Sequence, residues 1–478
     1  MAQWVTRADR ARGVGIKTAV SVRASVATIL WAGVALAATP LAVAQTAPAA
    51  SEQQSGAAGD SGTLQEVVVT AQFRRQNLQD TPIAMTAVTA QTLQERNQTN
   101  LAEVANQAPN VVLKETGGAF GPGMSAYIRG IGQADFNPAL EPGVGIYVDD
   151  VYYPSLTGAN FDLLDLDRVE VLRGPQGTLA GRNSEGGAIK LYSTKPQAGD
   201  SGDVRATYGS RDLIDLRGMG NFELLKDSLF MRISAVSRRQ NGYLTVEDYG
   251  CTHPGNPYGV PNTSLQGDCI VGHEGGKNYS EGRLALRWLA SDSVEVNFAS
   301  DITEDNSEVA AKTLLGTAPV NTPNLGPVVW GTGAQYLPPN PFVNYAAYSD
   351  FIPTNYATGA GYNVHWDPST HTQVAGSNLN VDWTINDSLA FKSITAYRTF
   401  VSSFVDDGAT PASLGIGANT QRNREVSQEL RLTGKAGTFL DYTFGGHFFD
   451  ETTRYETHQI LHYVNFGFPY LFHCLGDD

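Results

Sequence analysis

A chain of 478 residues with 50 glycines, 41% hydrophobic and 17% charged side chains is longer than one ordinary domain and too polar along its length for a bundle of membrane-crossing helices. Its 33 Lys and Arg against 48 Asp and Glu give a formal net charge of −15, which repels nucleic acid, and no basic stripe offsets it.

In chain order, Arg7, Arg10, Arg12, Lys17 and Arg23 precede an apolar run over 24–38 that ends in Ala42-Val43-Ala44. Basic region, hydrophobic region and small-x-small site predict a secretory signal peptide over 1–44. Residues 45–63 are Ala, Gln, Ser, Gly and Thr with little to bury, which predicts a flexible linker. The run Leu64-Gln65-Glu66-Val67-Val68-Val69-Thr70-Ala71 has two readings. It is the first strand of the domain that follows, or a strand held ready to add to the sheet edge of a partner.

Residues 73–198 read as a small α/β domain. The stretch 80–89 is extended, 92–109 has the spacing of a helix stopped by Pro109, 145–154 and 166–175 are β-rich, and 186–196 closes the unit. Within it, "GPQGTLAGRNSEGGAI" (174–189) packs five glycines into sixteen residues. A phosphate loop needs a terminal Gly-Lys-Ser/Thr or a G-x-G-x-x-G turn, and neither is present. The glycines are instead expected to allow tight turns and close backbone approach.

From 201 to 478 the chain alternates apolar and polar residues in segments of strand length, about nine of them. Tight turns at 225–227, 291–292, 386–387 and 435–437 take turns with long polar connections at 243–277, 305–375 and 402–422. Short turns at one end and long loops at the other predict an antiparallel transmembrane β-barrel, whose closed ladder pairs every backbone polar group in lipid. Cys251 and Cys269, 18 residues apart in the first long connection, suit a disulfide closing a surface loop in an oxidising compartment. Cys474 is left over.

Candidates for chemistry are few. His458 and His462, four apart on a strand, sit about 13 Å from each other, too far to share a metal. Asp149 and Asp150 point to opposite faces of a strand and make no carboxylate pair. No Gly-x-Ser-x-Gly elbow and no nucleophile with a recognisable base occur, so neither an enzyme, a metal centre nor a cofactor is expected.

Taken in order, "YIRGIG" (127–132), "VGIYVDDVYY" (144–153) and "DRVEVLRGPQGTLAGRNSEGGAIKLYSTKP" (167–196) give the chain a resemblance to the TonB-dependent outer-membrane receptors. The resemblance implies a membrane all-β fold with an N-terminal α/β plug at 73–198 inside the lumen of a barrel that starts at 201. It implies that residues 64–72 are the TonB box, with Glu66, Val67, Val68, Val69, Thr70 and Ala71 pairing with TonB in the periplasm. It also implies that Arg129, Gly130, Arg173, Gly174, Pro175, Gly177, Gly181, Arg182, Gly186 and Gly187 form the plug motif. Arg129, Arg173, Arg182 and Glu185 would make plug-internal or plug-to-barrel polar contacts.

The implied activity is import of a scarce large solute across the outer membrane of a Gram-negative bacterium. Energy comes through TonB and its inner-membrane complex, with outer-membrane lipid around the barrel. A ferric siderophore or other iron chelate is the first expectation, a carbohydrate or other organic nutrient the alternative, and a surface adhesin or passive pore the rival of another class. Tyr, Asn, Pro and Trp in the long loops suit a sugar or a catecholate equally. A plug of this size needs the lumen of about 22 strands, so the chain is expected to hold the plug and the N-terminal part of a longer barrel.

Overall fold

The computed structural model describes residues 68–69, 76–116, 122–135, 137, 140–157, 162–177, 181–256, 262, 268–316, 336–346, 348–355, 360–366, 368–406, 416–437 and 439–460. The expected signal peptide, the linker, Glu66, Val67, Thr70, Ala71, His462 and Cys474 lie outside the described residues.

The first described strand, β1 (Val68–Val69), pairs antiparallel with β2 (Gln76–Asn77), Val69 opposite Gln76. The plug proper runs through β3 (Met85–Thr89), α1 (Ala90–Glu95), α2 (Leu101–Val104), β4 (Val111–Glu115), β5 (Met124–Ile128), β6 (Ile131–Gln133), β7 (Val144–Val148), β8 (Val151–Tyr153), β9 (Leu166–Arg173) and β10 (Gly187–Ser193). One five-stranded sheet has the order β3-β9-β10-β7-β8, with only β10 and β7 parallel. A second, β4-β5-β6, closes over it. Between the sheets and the helices lie Leu101, Met124, Ile128, Ile146, Val169, Ile189 and Leu191, all essentially out of water. Each such side chain contributes about 1.5–3 kcal/mol.

Two expectations need correction here. The helix over 92–109 is broken in two, because Asn97 takes φ 50° and ends α1. The chain then restarts with a capping box in which the Asn100 side chain accepts from the Glu103 amide while the Glu103 carboxylate accepts from the Thr99 and Asn100 amides. Asp149 and Asp150, expected on opposite faces of a strand, are the two turn residues of the β7–β8 hairpin at φ 50° and 68°. A two-residue turn of that hand matches the twist of the flanking strands and favours Asn, Asp and Gly.

The wall follows in chain order as β11 (Ser201–Gly209), β12 (Leu213–Leu225) and β13 (Leu229–Gln240), then a connection carrying β14 (Leu244–Glu247), α3 (Tyr249–Thr252) and β15 (Ile270–Glu274). Next come β16 (Lys277–Ser291) and β17 (Val294–Asp305), then a connection carrying β18 (Val343–Asn344), β19 (Ser349–Asn355) and β20 (Ala360–His365). Strands β21 (Thr370–Asn386), β22 (Leu389–Asp406), β23 (Ile416–Ala436) and β24 (Leu440–Ile460) complete the described wall. Its nine strands form one sheet in which every neighbouring pair is antiparallel, β11-β12-β13-β16-β17-β21-β22-β23-β24.

Period two decides which residues face the plug. Along β21, Thr370, Thr372, Asn378 and Asn380 are buried, while the alternate Leu379 and Trp383 stay 41% and 45% exposed. Trp288, Tyr397, Leu430, Phe444 and Phe448 share that outward face. Outward residues nearer the long connections turn polar, as with His371 and Gln373 on β21 and Arg422 and Arg424 on β23. That is the pattern of an apolar outer band with polar strand ends beyond it. No described helix is long and apolar enough to cross a membrane.

The long connections hold more order than their polar composition implies. Strands β15-β14-β18 form a small sheet with β14 and β18 parallel, and Leu244, Val246, Val309, Ala346 and Tyr348 pack beneath it. Cys251 and Cys269 are joined, tying α3 to the start of β15. Glu274 is fully buried and accepts from Tyr348 Oη at 2.7 Å, Asn344 Nδ2 at 3.0 Å and the Lys312 amide at 3.0 Å. Residues 402–406 and 416–422, expected in a loop, belong to β22 and β23.

Candidate functional site

The functional surface is the seam between plug and wall. On the plug side the groups are carboxylates carried by turns and strand ends; on the wall side they are cations at lumen-facing positions. Asp162 accepts from both Arg217 nitrogens at 2.7 and 2.9 Å and from Tyr279 Oη. Asp165 accepts from Arg232 at 2.6 Å through each oxygen and from Ser234 Oγ. Asp149 takes Arg283 on one oxygen and the Ser193 amide on the other. Asp150 takes Lys392 at 3.3 Å and Tyr192 Oη at 3.2 Å, and Glu115 takes Lys277 at 2.6 Å through both oxygens. The polarity reverses once, where Lys195 donates to Glu295 at 2.7 Å.

Arg398 joins the two bodies differently. Its guanidinium lies 4.1 Å over the Tyr153 ring of the plug while donating to Asp301 of the wall at 3.1 and 2.7 Å. Such stacking on a desolvated cation is worth about 2 kcal/mol.

Lys277 with Glu115 and Lys195 with Glu295 keep part of their surface in water, but the deeper charges are held out of it, and that shows in Asp150. Burial by itself would raise its carboxyl, but Lys392, Lys190 and Arg431 outweigh it and hold the group well below the ordinary carboxylate range. Lys190 beneath it is pulled down by burial despite Asp150 and Glu170.

Apolar contact across the seam is sparse. Val151 packs on Ile394 and Ala396, and Tyr152 meets Phe449 edge-on with ring centroids 6.0 Å apart. The plug keeps its large apolar side chains for its own core. Buried ion pairs add little net stability but fix register, and water can replace them one by one. A cavity of about 100 Å³ between Asp162, Tyr279, Glu281, Arg283 and Arg398 already opens within the seam. Another of about 260 Å³ opens above it between Glu115, Gly123, Tyr243, Lys277, Glu308 and Phe404.

The residues singled out in the sequence fall around this seam but do not make it. Arg129 and Gly130 form the β5–β6 turn at φ 54° and 81°, both exposed. Arg173 donates to the Met85 carbonyl at 3.5 Å, and its Nε is buried without an acceptor among the described residues. Gly174, at φ 104°, leaves room for the Arg129 guanidinium, which a Cβ there would meet at 2.9 Å. Pro175, Gly177, Gly181 and Glu185 are exposed. Arg182 pairs with Glu141 within the plug and reaches the wall, 5.4 Å over the Phe449 ring. Gly187 has the clearest need for its identity, since a Cβ would stand 2.1 Å from the Leu172 carbonyl, and at Gly186 one would stand 2.8 Å from the Ile131 carbonyl.

Sequence reasoning missed Glu115, Asp162, Asp165, Arg217, Arg232 and Lys392. The available signal was parity: Arg217, Arg232 and Arg283 sit at inward positions of strands whose outward alternates are largely apolar, and an inward cation left unpaired there is costly. Among the described residues no group of three or more His, Cys, Asp or Glu is placed to hold a metal.

An α/β plug seated by ion pairs on the polar face of an antiparallel wall with an apolar outer band defines the class: a plugged outer-membrane β-barrel. Residues 77–188 match the family model described as the TonB-dependent Receptor Plug Domain. The chain is 32% identical over 155 residues to the pesticin receptor of Yersinia enterocolitica, which is 32% of this chain and 22% of that protein. It is 26% identical over 164 residues to the catecholate siderophore receptor Fiu of Escherichia coli, 34% of this chain and 20% of that one. Among solved structures, the ferric yersiniabactin uptake receptor FyuA from Yersinia pestis superposes with a TM-score of 0.58 at 20% identity, covering 79% of this chain and 50% of that chain. The chain thus spans about half the length of that receptor. Over residues 77–188 the chain is thus similar to the plug domain of the TonB-dependent receptors, and the nine described strands of the wall follow that match.

Proposed function

We propose that this protein imports an iron chelate across the outer membrane, energised through TonB. The observation that carries the reading is the seam: a plug with its own core, seated almost wholly by exchangeable ion pairs, can be shifted without unfolding wall or plug. Similarity to the catecholate siderophore receptor Fiu and the ferrioxamine receptor supports iron chelates as the cargo.

In this reading a chelate settles in the outer cavity on Glu115, Thr116 and Gly123, at the plug's outward end. Residues 66–71 add as a strand to TonB in the periplasm, where main-chain hydrogen bonds supply grip without side-chain chemistry. The β1–β2 pairing is only two residues long, so a pull on 66–71 reaches the plug at Gln76 after breaking little. Water then replaces the Asp162–Arg217 and Asp165–Arg232 contacts, and a path opens along the polar wall. Gly174, Gly186 and Gly187 keep the plug compact enough to move within that wall.

Deleting 64–71 tests this. Chelate binding at the cell surface is expected to survive while accumulation of radiolabelled iron falls to the level of a strain lacking TonB. Accumulation that persists unchanged would sink the coupling and favour a passive pore.

A further inference from the structure

We propose that the outer cavity selects by charge, accepting neutral or cationic chelates and turning away anionic ones; this rests on the import reading above.

Charge is sorted along the barrel axis. Deep in the seam, Arg217, Arg232, Arg283 and Lys392 face the plug, each engaged by a plug carboxylate. At the mouth the balance inverts. The 260 Å³ cavity has one lining cation among the described residues, Lys277, and Glu115 holds it through both oxygens at 2.6 Å. Asp305 and Glu308 also line the cavity. Asp305 accepts from the Ser307 amide and Glu308 from the Gly276 amide, each at 2.8 Å, and among the described residues neither carboxylate is in an ion pair. With Lys277 held by Glu115, the lining keeps two carboxylates, Asp305 and Glu308, outside any ion pair among the described residues.

The connections around the mouth repeat the pattern in sequence. Residues 243–277 hold four carboxylates, one lysine and no arginine, and residues 305–375 hold the same. Arg211 lies 5.6 Å over the Tyr243 ring at the rim, but within the lining a trianionic chelate meets only the Lys277 that Glu115 already holds, so the field of the lining opposes its approach. Fields of this kind change association rates by about 10–1,000-fold and fade with added salt. Tyr243, Phe404 and Val309 supply apolar flanks against which a chelate's organic shell packs without charge.

The test uses the full-length receptor in outer-membrane vesicles, with quenching of intrinsic fluorescence as readout. The probes are three ferric chelates: a trihydroxamate with an appended ammonium, a neutral trihydroxamate and a trianionic tricatecholate. The neutral and cationic chelates are expected to bind at least about 10-fold more tightly than the anionic one, with the gap shrinking in high salt. In the Asp305→Asn, Glu308→Gln double variant the gap should narrow, and the wild-type panel decides the matter even if that variant fails to assemble. Tightest binding of the tricatecholate overturns charge selection while leaving import of an iron chelate standing. Saturation by none of the three overturns both.

Discussion

Removing one partner of the Asp165–Arg232 pair should unseat the plug, whereas removing both should not. Arg232 is 6% and Asp165 10% exposed at the side chain, and Arg232 Nε and Nη2 each donate to a different Asp165 oxygen at 2.6 Å. Asp165→Asn keeps the shape and tolerates the φ of 54° at this position, but leaves a guanidinium buried without its counter-charge. Breaking a buried pair from one side costs about 3–5 kcal/mol, while replacing both partners by apolar groups is often neutral. Arg232→Met should therefore cost a similar amount alone, and Asp165→Leu with Arg232→Met should recover most of it. At 3 kcal/mol the unseated plug becomes roughly 100-fold more populated. Limited proteolysis of the plug in detergent-solubilised receptor, at protease concentrations where cleavage follows the open population, reads this directly. If both single variants resist protease like the parent, the pair is solvated and the seam is not what holds the plug.

Gly187→Ala forces a Cβ to 2.1 Å from the Leu172 carbonyl and should lower the thermal midpoint by the equivalent of more than about 3 kcal/mol, while Gly177→Ala, with nothing within 4 Å of its Cβ, should leave it within about 0.5 kcal/mol. Asp150 has a carboxyl held below its unfolded value, so its contribution to seating is complete above about pH 4 and is lost as pH falls through the folded value. Protease sensitivity of the plug should rise only in strong acid, and Asp150→Asn should remove that rise. Glu274 runs the other way. Burial raises its carboxyl against the hydrogen bonds from Tyr348, Lys312 and Asn344, so the sheet of the long connections is most stable near and below pH 4 and loosens as pH rises through the folded value. Hydrogen exchange across Ile270–Glu274 should quicken from pH 4 to 7 beyond the intrinsic rate, and Glu274→Gln should flatten the change.

The wall was legible because lipid outside and a polar plug inside enforce strict alternation, so even strands of 12 to 21 residues announce themselves by period two. The turns at Leu225–Leu229 and Asn386–Leu389 fell where Asp227 and Asp387 placed them. The helix break at Asn97 was not legible, since one residue entering the left-handed region leaves the apolar spacing of Leu93, Leu101 and Val104 intact. Strands β14 and β18 were hidden for a related reason: Leu244–Glu247 and Val343–Asn344 pair across almost a hundred residues, and each alone is too short to carry a period. The seam was legible only in part: inward parity marks Arg217, Arg232 and Arg283, but which plug carboxylate meets each is set only when the topology brings two distant segments face to face.

The most direct measurement of the central claim is iron-chelate uptake by cells whose plug is bolted to the wall by a short, reducible bis-methanethiosulfonate crosslink between cysteines at Asp165→Cys and Arg232→Cys, which spans the length of the lost arginine. Chelate should still bind, uptake should stop, and reduction of the bond should restore it, with the singly substituted chains as controls. Uptake that continues at the parental rate with the crosslink closed would contradict a plug that must leave its seat.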